Sequence, residues 1–428
     1  MSPRRTLALA TAAALAVTGL SACSGGDDDG GSGGNVEMQL WHNASTGPGA
    51  AFWESTVAAY QTAHPNVKIK IQQVQNEDLD GKLQTALNSG SAPDLFLQRG
   101  GGKMAAMVEA GQLKDITADI TAETKAAVGE AALRTGQVDG KAYSVPVSIL
   151  PGGFWYSKDL FQKAGVTTPP ATLDDLNQAV TKLKANGTPV ALGAKDAWPA
   201  AHWYYFFALR ACSQASLEAA AQSKDFSDAC WTKAGEDLKA FADTKPFNDG
   251  FLTTSAQQGA GSSAGLVANY KASMELMGAW DPGVIASLTK DAKPMPDLGY
   301  FPFPSVPGGQ GDPAAIMGGA DGYSCSVDAP KECTDFLNYL LTKDVQEAYY
   351  KAYNALPVNK EAQGAVTEDY LKAVLDAYNK APYVSQWLDT VYGQNVGNAL
   401  NVGVVNLLAG KGDVAGIIQA VNDAAKKG

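Results

Sequence analysis

Apolar and polar positions change period several times along this 428-residue chain. Val36-Glu37-Met38-Gln39-Leu40-Trp41 alternates every second residue, as a strand does, and His42 to Pro48 reads as a turn. A helix from about Gly49 to His64 follows, with Phe52, Val57 and Tyr60 on its buried side, and Pro65-Asn66 ends it. Val67 to Ile71 alternates again, and Asp78 to Asn88 reads as a helix closed by Ser89-Gly90. Pro93 to Leu97 is a short buried strand, and Lys103 to Ala110 a third helix. This β-α-β-α-β-α order predicts a mainly parallel sheet with helices on its faces. Ligands of such sheets sit beyond the carboxyl ends of the strands, which singles out His42-Asn43-Ala44-Ser45 and Gln98-Arg99-Gly100.

From Gly140 to Phe161 the pattern reads strand, bend, strand, helix start. Tyr143, Val145 and Val147 alternate, Pro146 and Pro151 argue against one continuous central strand, and Ser157 can cap a helix beginning near Lys158. Two readings fit: a chain leaving one lobe for another, or a loop between two strands of one domain. Beyond it, Thr172 to Asn186 is a predicted helix and Pro189 to Leu192 a short strand. The loop from Gly193 to Ala201 carries Lys195, Asp196 and Trp198. His202 to Phe207 is an unbroken run of His and aromatic residues that cannot all face one side, and Phe206 and Phe207 are assigned to the core. Met274 to Met277 is an apolar strand ending in Gly278-Ala279-Trp280-Asp281-Pro282. Met317 to Tyr323 and Ala355 to Val358 read as two further crossings, separated by one helix from Lys331 to Tyr353. The last 70 or so residues are helical and carry Trp387 and Tyr392.

The N-terminus changes the picture. Arg4 and Arg5 precede an apolar run from Leu7 to Leu20, the pattern of a secretory signal over residues 1–22. Leu20-Ser21-Ala22-Cys23 resembles a bacterial lipobox, which implies diacylation of Cys23, and several acyl chains give a stable anchor where one is marginal. Residues 24–34 (SGGDDDGGSGG) then form a flexible, solvated tether spanning on the order of 20 Å. The expected location is the outer face of the cell membrane. Without Arg4 and Arg5 the chain has 31 basic and 44 acidic side chains, a charge of -13, which argues against nucleic acid and anionic lipid surfaces as partners. The other cysteines, Cys212, Cys230, Cys325 and Cys333, are even in number, as befits an exported chain. Of three possible pairings the two local ones, Cys212–Cys230 and Cys325–Cys333, are favoured, each contributing roughly 2–3 kcal/mol. With three His and no metal-ligand spacing, no metal or other cofactor is expected.

The run GKAYSVPVSILPGGFWYSKDLF resembles the first interlobe crossover of bacterial extracellular solute-binding proteins, in the sugar-binding branch that serves ABC importers. "WHN", "SGSAPDLF", "MELMGAW", "GGADGY", "FLNYLLTKDVQEAYYK" and "LPVNK" follow the order of that family from Asn35 onward. The resemblance implies an α/β, two-lobed periplasmic-binding-protein-like fold, each lobe a mainly parallel sheet flanked by helices, with interlobe crossovers forming a hinge. The expected N-terminal lobe is 35–147 plus about 315–356, and the C-terminal lobe 148–314 plus about 357–428. It further implies a monomer that captures a di- or oligosaccharide and delivers it to the permease subunits of an ABC transporter.

The residue chemistry is compatible with a sugar. A pyranose offers a C–H face that stacks on an aromatic ring and hydroxyls that need polar partners. Trp280 and Trp198 match the family's aromatic ligand positions, and Trp155 and Trp387 are further candidate platforms. His42, Asn43, Gln98, Arg99, Asp196, Asp281, Gly319 and Asp321 stand where polar groups or close backbone approach are expected. Other roles compete at three of them: a helix cap for Asp281, a surface ion pair for Arg99, core packing for Trp387. A secreted glycoside hydrolase is the alternative class, but no Glu stands clearly at a strand end and no catalytic residue is assigned. An amino acid, peptide or polyamine cargo is a further alternative. An anionic cargo would want clustered cations, and only Arg99, Lys103 and Lys195 lie near the expected cleft.

Overall fold

Fourteen strands carry the architecture in a computed structural model that describes residues 34–44 and 47–427. The secretory signal, Cys23, most of the tether and Ser45 lie outside the described residues. In chain order the strands begin β1 (Val36–His42), β2 (Val67–Gln73), β3 (Leu95–Gln98), β4 (Gln137–Val138), β5 (Lys141–Ala142) and β6 (Val145–Pro146). They continue β7 (Ser148–Ser157), β8 (Thr188–Ala191), β9 (Ala272–Gly278), β10 (Leu298–Phe301) and β11 (Ile316–Gly319). Last come β12 (Gly322–Cys325), β13 (Leu356–Pro357) and β14 (Val384–Ser385).

Two sheets organise two lobes. The first has the order β2-β1-β3-β12-β6, with β1 parallel to β2 and β3 and β12 antiparallel to β3 and β6. The second is built on β7, to which β9, β10, β11 and β13 all run antiparallel; β8 joins β9 and β14 joins β11 in parallel. The expectation of mainly parallel sheets therefore needs correction: both are mixed. A parallel neighbour requires a helical crossover, and that holds for β1, β2 and β3, whereas the strands gathered on β7 return to it from the opposite direction. β11 and β12 are separated by Ala320-Asp321 alone yet lie in different sheets, so the chain crosses between lobes there.

Two further expectations give way to packing. β7 runs unbroken through Pro151, with all ten residues buried. Proline is tolerated because the ladder changes partner at that point: β11 pairs with Leu150 and Pro151, and β9 takes over from Gly152. Gly152 is there for space. A Cβ would lie 2.7 Å from both Phe206 and Trp387. The predicted helix from Lys331 to Tyr353 is two helices, Lys331–Leu340 and Lys343–Tyr353. The break is stabilised because Gln346 donates to the Leu340 carbonyl (3.0 Å) and Asn359 to that of Leu341 (2.8 Å).

The expected punctuation elsewhere is present. Ser157 caps the helix Lys158–Lys163 by accepting from the Leu160 N–H, and Thr172 with Asp175 forms a capping box at the helix Leu173–Lys184. The helix Trp198–Ala211 is buried on every face from Pro199 onward, so the whole His202–Phe207 run is interior. Its C-terminal Arg210 donates to the carbonyls of Phe303, Pro304, Asp312 and Ala315, which satisfies a buried guanidinium without a carboxylate. The disulfides are Cys212–Cys230 and Cys325–Cys333, the pairing expected. No helix among the described residues is long and apolar enough to cross a membrane.

Candidate functional site

The carboxyl ends of β1 and β3 and the helix Asn76–Ser89 meet in a polar cluster. Asn43 donates to Asn76 Oδ1 (3.1 Å), which also accepts from Arg99 Nη2 (2.7 Å). Arg99 Nε reaches Asp80 Oδ1 at 3.3 Å, and Nη1 faces Asp321 Oδ1 at 3.7 Å. Lys103 Nζ takes the other Asp80 oxygen at 2.7 Å. Burial would raise the Asp80 carboxyl, but Arg99 and Lys103 override it and hold the group down at about 2. At Asp321 burial prevails over Arg99 and the pKa is raised. Asn76 and Asp80, one helical turn apart, were not singled out from the sequence. Their i, i+4 spacing at the start of a helix that follows a strand was the available signal.

Three indoles meet beyond strands of the second sheet. Trp198 starts the helix after β8, Trp280 follows β9, and Trp387 follows β14. Trp280 lies 6.1 Å from Trp198 and 5.6 Å from Trp387, inclined at 62° and 61°, an edge-to-face arrangement. His202, also missed in the sequence, sits at their centre, stacked on Trp387 at 4.2 Å. Burial lowers its pKa to about 3, so the imidazole is neutral. Trp198 and Trp280 keep part of their surface exposed, while Trp387 is 8% exposed and sits mostly in the core. The Trp198 indole N–H is buried with no partner in the protein. Gly278 and Gly319 exist for these rings: a Cβ on Gly278 would collide with Trp280, and one on Gly319 would lie 2.9 Å from Trp387.

Four candidate contacts do not reach this site. Trp155 is fully buried, and its N–H donates to the carbonyls of Met277 and Gly278, both at 3.2 Å. It packs against Tyr300 and Tyr370 and is core. His42 is buried and stacked on Trp53, and its Nδ1 accepts from the Ala44 N–H (3.2 Å), so it shapes the turn after β1. Burial lowers its pKa to about 4. Gln98 is buried and holds the next turn, its Oε1 accepting from the N–H groups of Arg99 (2.9 Å) and Gly100 (3.1 Å). Asp281 is fully buried at the first turn of the helix Asp281–Leu288, facing Glu275. Asp196 remains partly exposed and pins the following loop by accepting from the Ala256 N–H (2.7 Å).

The two walls also touch. Gln386 Nε2 donates to the Arg99 carbonyl (2.9 Å), and Gln258 Nε2 to Glu77 Oε2 (3.4 Å). The arrangement thus brings partly exposed rings and fixed, charge-paired polar groups into neighbouring positions joined by the Gln386–Arg99 contact. No group of three or more His, Cys, Asp or Glu among the described residues could hold a metal ion.

Comparison with known proteins agrees with this geometry. Residues 43–347 match the model of the family described as bacterial extracellular solute-binding protein. A binding protein of Brucella abortus is 29% identical over 178 residues, and the match spans 41% of this chain and 42% of that relative. The diacetylchitobiose binding protein DasA of Streptomyces coelicolor is 24% identical over 403 residues, 90% of each chain. A solved chitin oligosaccharide binding protein superposes with a TM-score of 0.83 at 26% identity, over 92% of this chain and 98% of that one. With a family match over most of its length and a two-lobed fold to go with it, the chain belongs to the bacterial extracellular solute-binding protein family.

Proposed function

We propose that this protein is the solute receptor of an ABC importer and captures a di- or oligosaccharide between its lobes for delivery to the membrane permease. The observation that supports the reading is the meeting of Trp198, Trp280 and Trp387, tied through Gln386 to the Arg99 carbonyl and so to the Asn43–Asn76–Arg99–Asp80–Asp321 network. Sugars need that pairing of apolar face and fixed polar partner. Two relatives that cover about nine-tenths of this chain are described as binding diacetylchitobiose and chitin oligosaccharide, which supports the same class of cargo. The reading is of a receptor and not a catalyst: the paired carboxyls Glu275 and Asp281 are fully buried and so shielded from a substrate. The proposed lobes are 35–147 with about 315–356 and 148–314 with about 357–428. They hinge where the chain crosses, at Val147–Ser148, at Ala320-Asp321 and at the short β13. The protein acts as a monomer held to the outer face of the cell membrane by lipid on Cys23, so Cys23→Ser should release it from the membrane fraction.

A thermal-shift screen over mono- and oligosaccharides tests the reading. A cognate sugar at 100 times its dissociation constant should add about 2.7 kcal/mol of stability. Stabilisation by amino acids, peptides or polyamines, with none by any sugar, would replace it.

A further inference from the structure

The cations of the polar cluster are all engaged by the protein's own acceptors. Arg99 has all three guanidinium nitrogens engaged: Nε by Asp80 (3.3 Å), Nη2 by Asn76 (2.7 Å) and Nη1 facing Asp321 (3.7 Å). Lys103 is held by the second Asp80 oxygen at 2.7 Å. Two cations face two carboxylates directly, and Asp389 adds a third negative charge near Arg99. Both imidazoles near the site, His42 and His202, are buried and neutral. On the facing wall Asp196 is occupied by the Ala256 N–H, and Lys195 is exposed to solvent. A bidentate cation is what a carboxylate ligand requires in a desolvated site. The cluster contains the right cation, Arg99, and the protein's own carboxylates occupy it.

We infer that Asp80 and Asp321 are specificity-determining residues, which by neutralising Arg99 and Lys103 make the cleft accept uncharged saccharides and exclude those bearing a carboxylate, such as uronates. The inference rests on the saccharide-receptor reading and narrows it. An acidic ring entering this site would lose hydration, meet no free cation, and stand beside two fixed carboxylates. This is discrimination by repulsion as well as by fit. A neutral hydroxyl can instead accept from the outward N–H edges and donate to the same carboxylates.

Calorimetric titration of the exported protein tests it with three neutral probes, N,N′-diacetylchitobiose, maltotriose and raffinose. The best binder is compared with the same sugar carrying one primary hydroxyl oxidised to a carboxylate. The parent should bind the acid form about 100-fold more weakly. Asp321→Asn and Asp80→Asn, each nearly isosteric, should shrink that gap at least about 10-fold, chiefly by tightening the acid form, with a stronger salt dependence for that form alone. A structural role would weaken both forms together and leave the ratio unchanged. Parent affinities within about threefold of each other, or Asn variants with an unaltered ratio, would overturn the inference and leave the saccharide reading standing. Absence of binding by any neutral sugar would overturn both. If Asp80→Asn fails to fold, Asp321→Asn alone decides, because it frees Nη1 of Arg99 and leaves Lys103 paired.

Discussion

Replacing Glu275 by Gln and Asp281 by Asn together should flatten the dependence of folding stability on pH between 6.5 and 8. Both side chains are fully buried, and none of their four carboxyl oxygens has a hydrogen-bond donor at ordinary geometry. Burial, reinforced by Asp281, raises Glu275 far above the carboxylate range. Burial likewise pushes Asp281 up to about 8, only partly offset by its neighbour Glu275. A carboxyl raised in the folded state holds protons that the unfolded chain has released, so stability falls as pH rises towards the folded value. The slope is about 1.4 kcal/mol per pH unit for each extra proton held. His42 and His202 act with the opposite sign. Burial lowers them to about 4 and 3, so their contribution is present above the ordinary imidazole value of 6.5 and is lost as pH falls. At 6.5 the unfolded imidazoles are still half-protonated, so the two together return about 0.8 kcal/mol of stability by pH 8, less than the acid pair removes. Over those roughly 1.5 units the acid pair removes about 2 kcal/mol if one proton is held and about 4 if two are, so the parent should lose a net of about 1–3 kcal/mol. Urea unfolding followed by tryptophan fluorescence measures it directly. A parent whose stability is level or rises across this range, or a double variant with the parent's slope, would show that the buried carboxyl pair does not hold protons in the folded state.

Gly152→Ala should destabilise the protein by about 1–3 kcal/mol, since a methyl group would lie 2.7 Å from both Phe206 and Trp387, and it should also weaken ligand binding by displacing Trp387. Unfolding and binding curves on one preparation test both effects. The exported protein should show no free thiol among Cys212, Cys230, Cys325 and Cys333, and replacing Cys212 and Cys230 by Ser should cost about 3 kcal/mol. A thiol titration above zero in the parent would contradict the first part.

Element types were legible wherever one face is wet. β1 and β2 alternate because one side meets the core and the other water, and their period can be read directly. β7 and the helix Trp198–Ala211 are buried on all sides, so periodicity says nothing about which neighbours they take. That is why the unbroken strand through Pro151 and the mixed sheet were not visible: both depend on strands from distant parts of the chain arriving at β7. The strand-end rule located Asn43 and Arg99 but could not separate them from His42 and Gln98. All four flank the same ends, and only their hydrogen bonds show that the latter two are committed to turns. Aromatic residues split the same way. Trp280 and Trp198 stand just past strands and keep part of their surface exposed, whereas Trp155 lies within a strand whose both faces are covered. His202 belongs to the site only because a helix buried all round places it under three tryptophans drawn from three separate segments.

The claim that matters most is that the tryptophan cluster is a ligand platform, and Trp280→Ala tests it most directly. Trp280 is only half-buried and rests on the backbone of Gly278, so its removal should take away more ligand contact than core contact. Calorimetric titration with the best-binding oligosaccharide should show affinity falling by about 100-fold or more, against the roughly 0.5–1.5 kcal/mol expected from losing one hydrogen bond at Asn43. Unfolding of the ligand-free variant should show a loss below about 2 kcal/mol. Affinity left intact, with the free protein destabilised by the 3–5 kcal/mol typical of a truncated core tryptophan, would contradict the account.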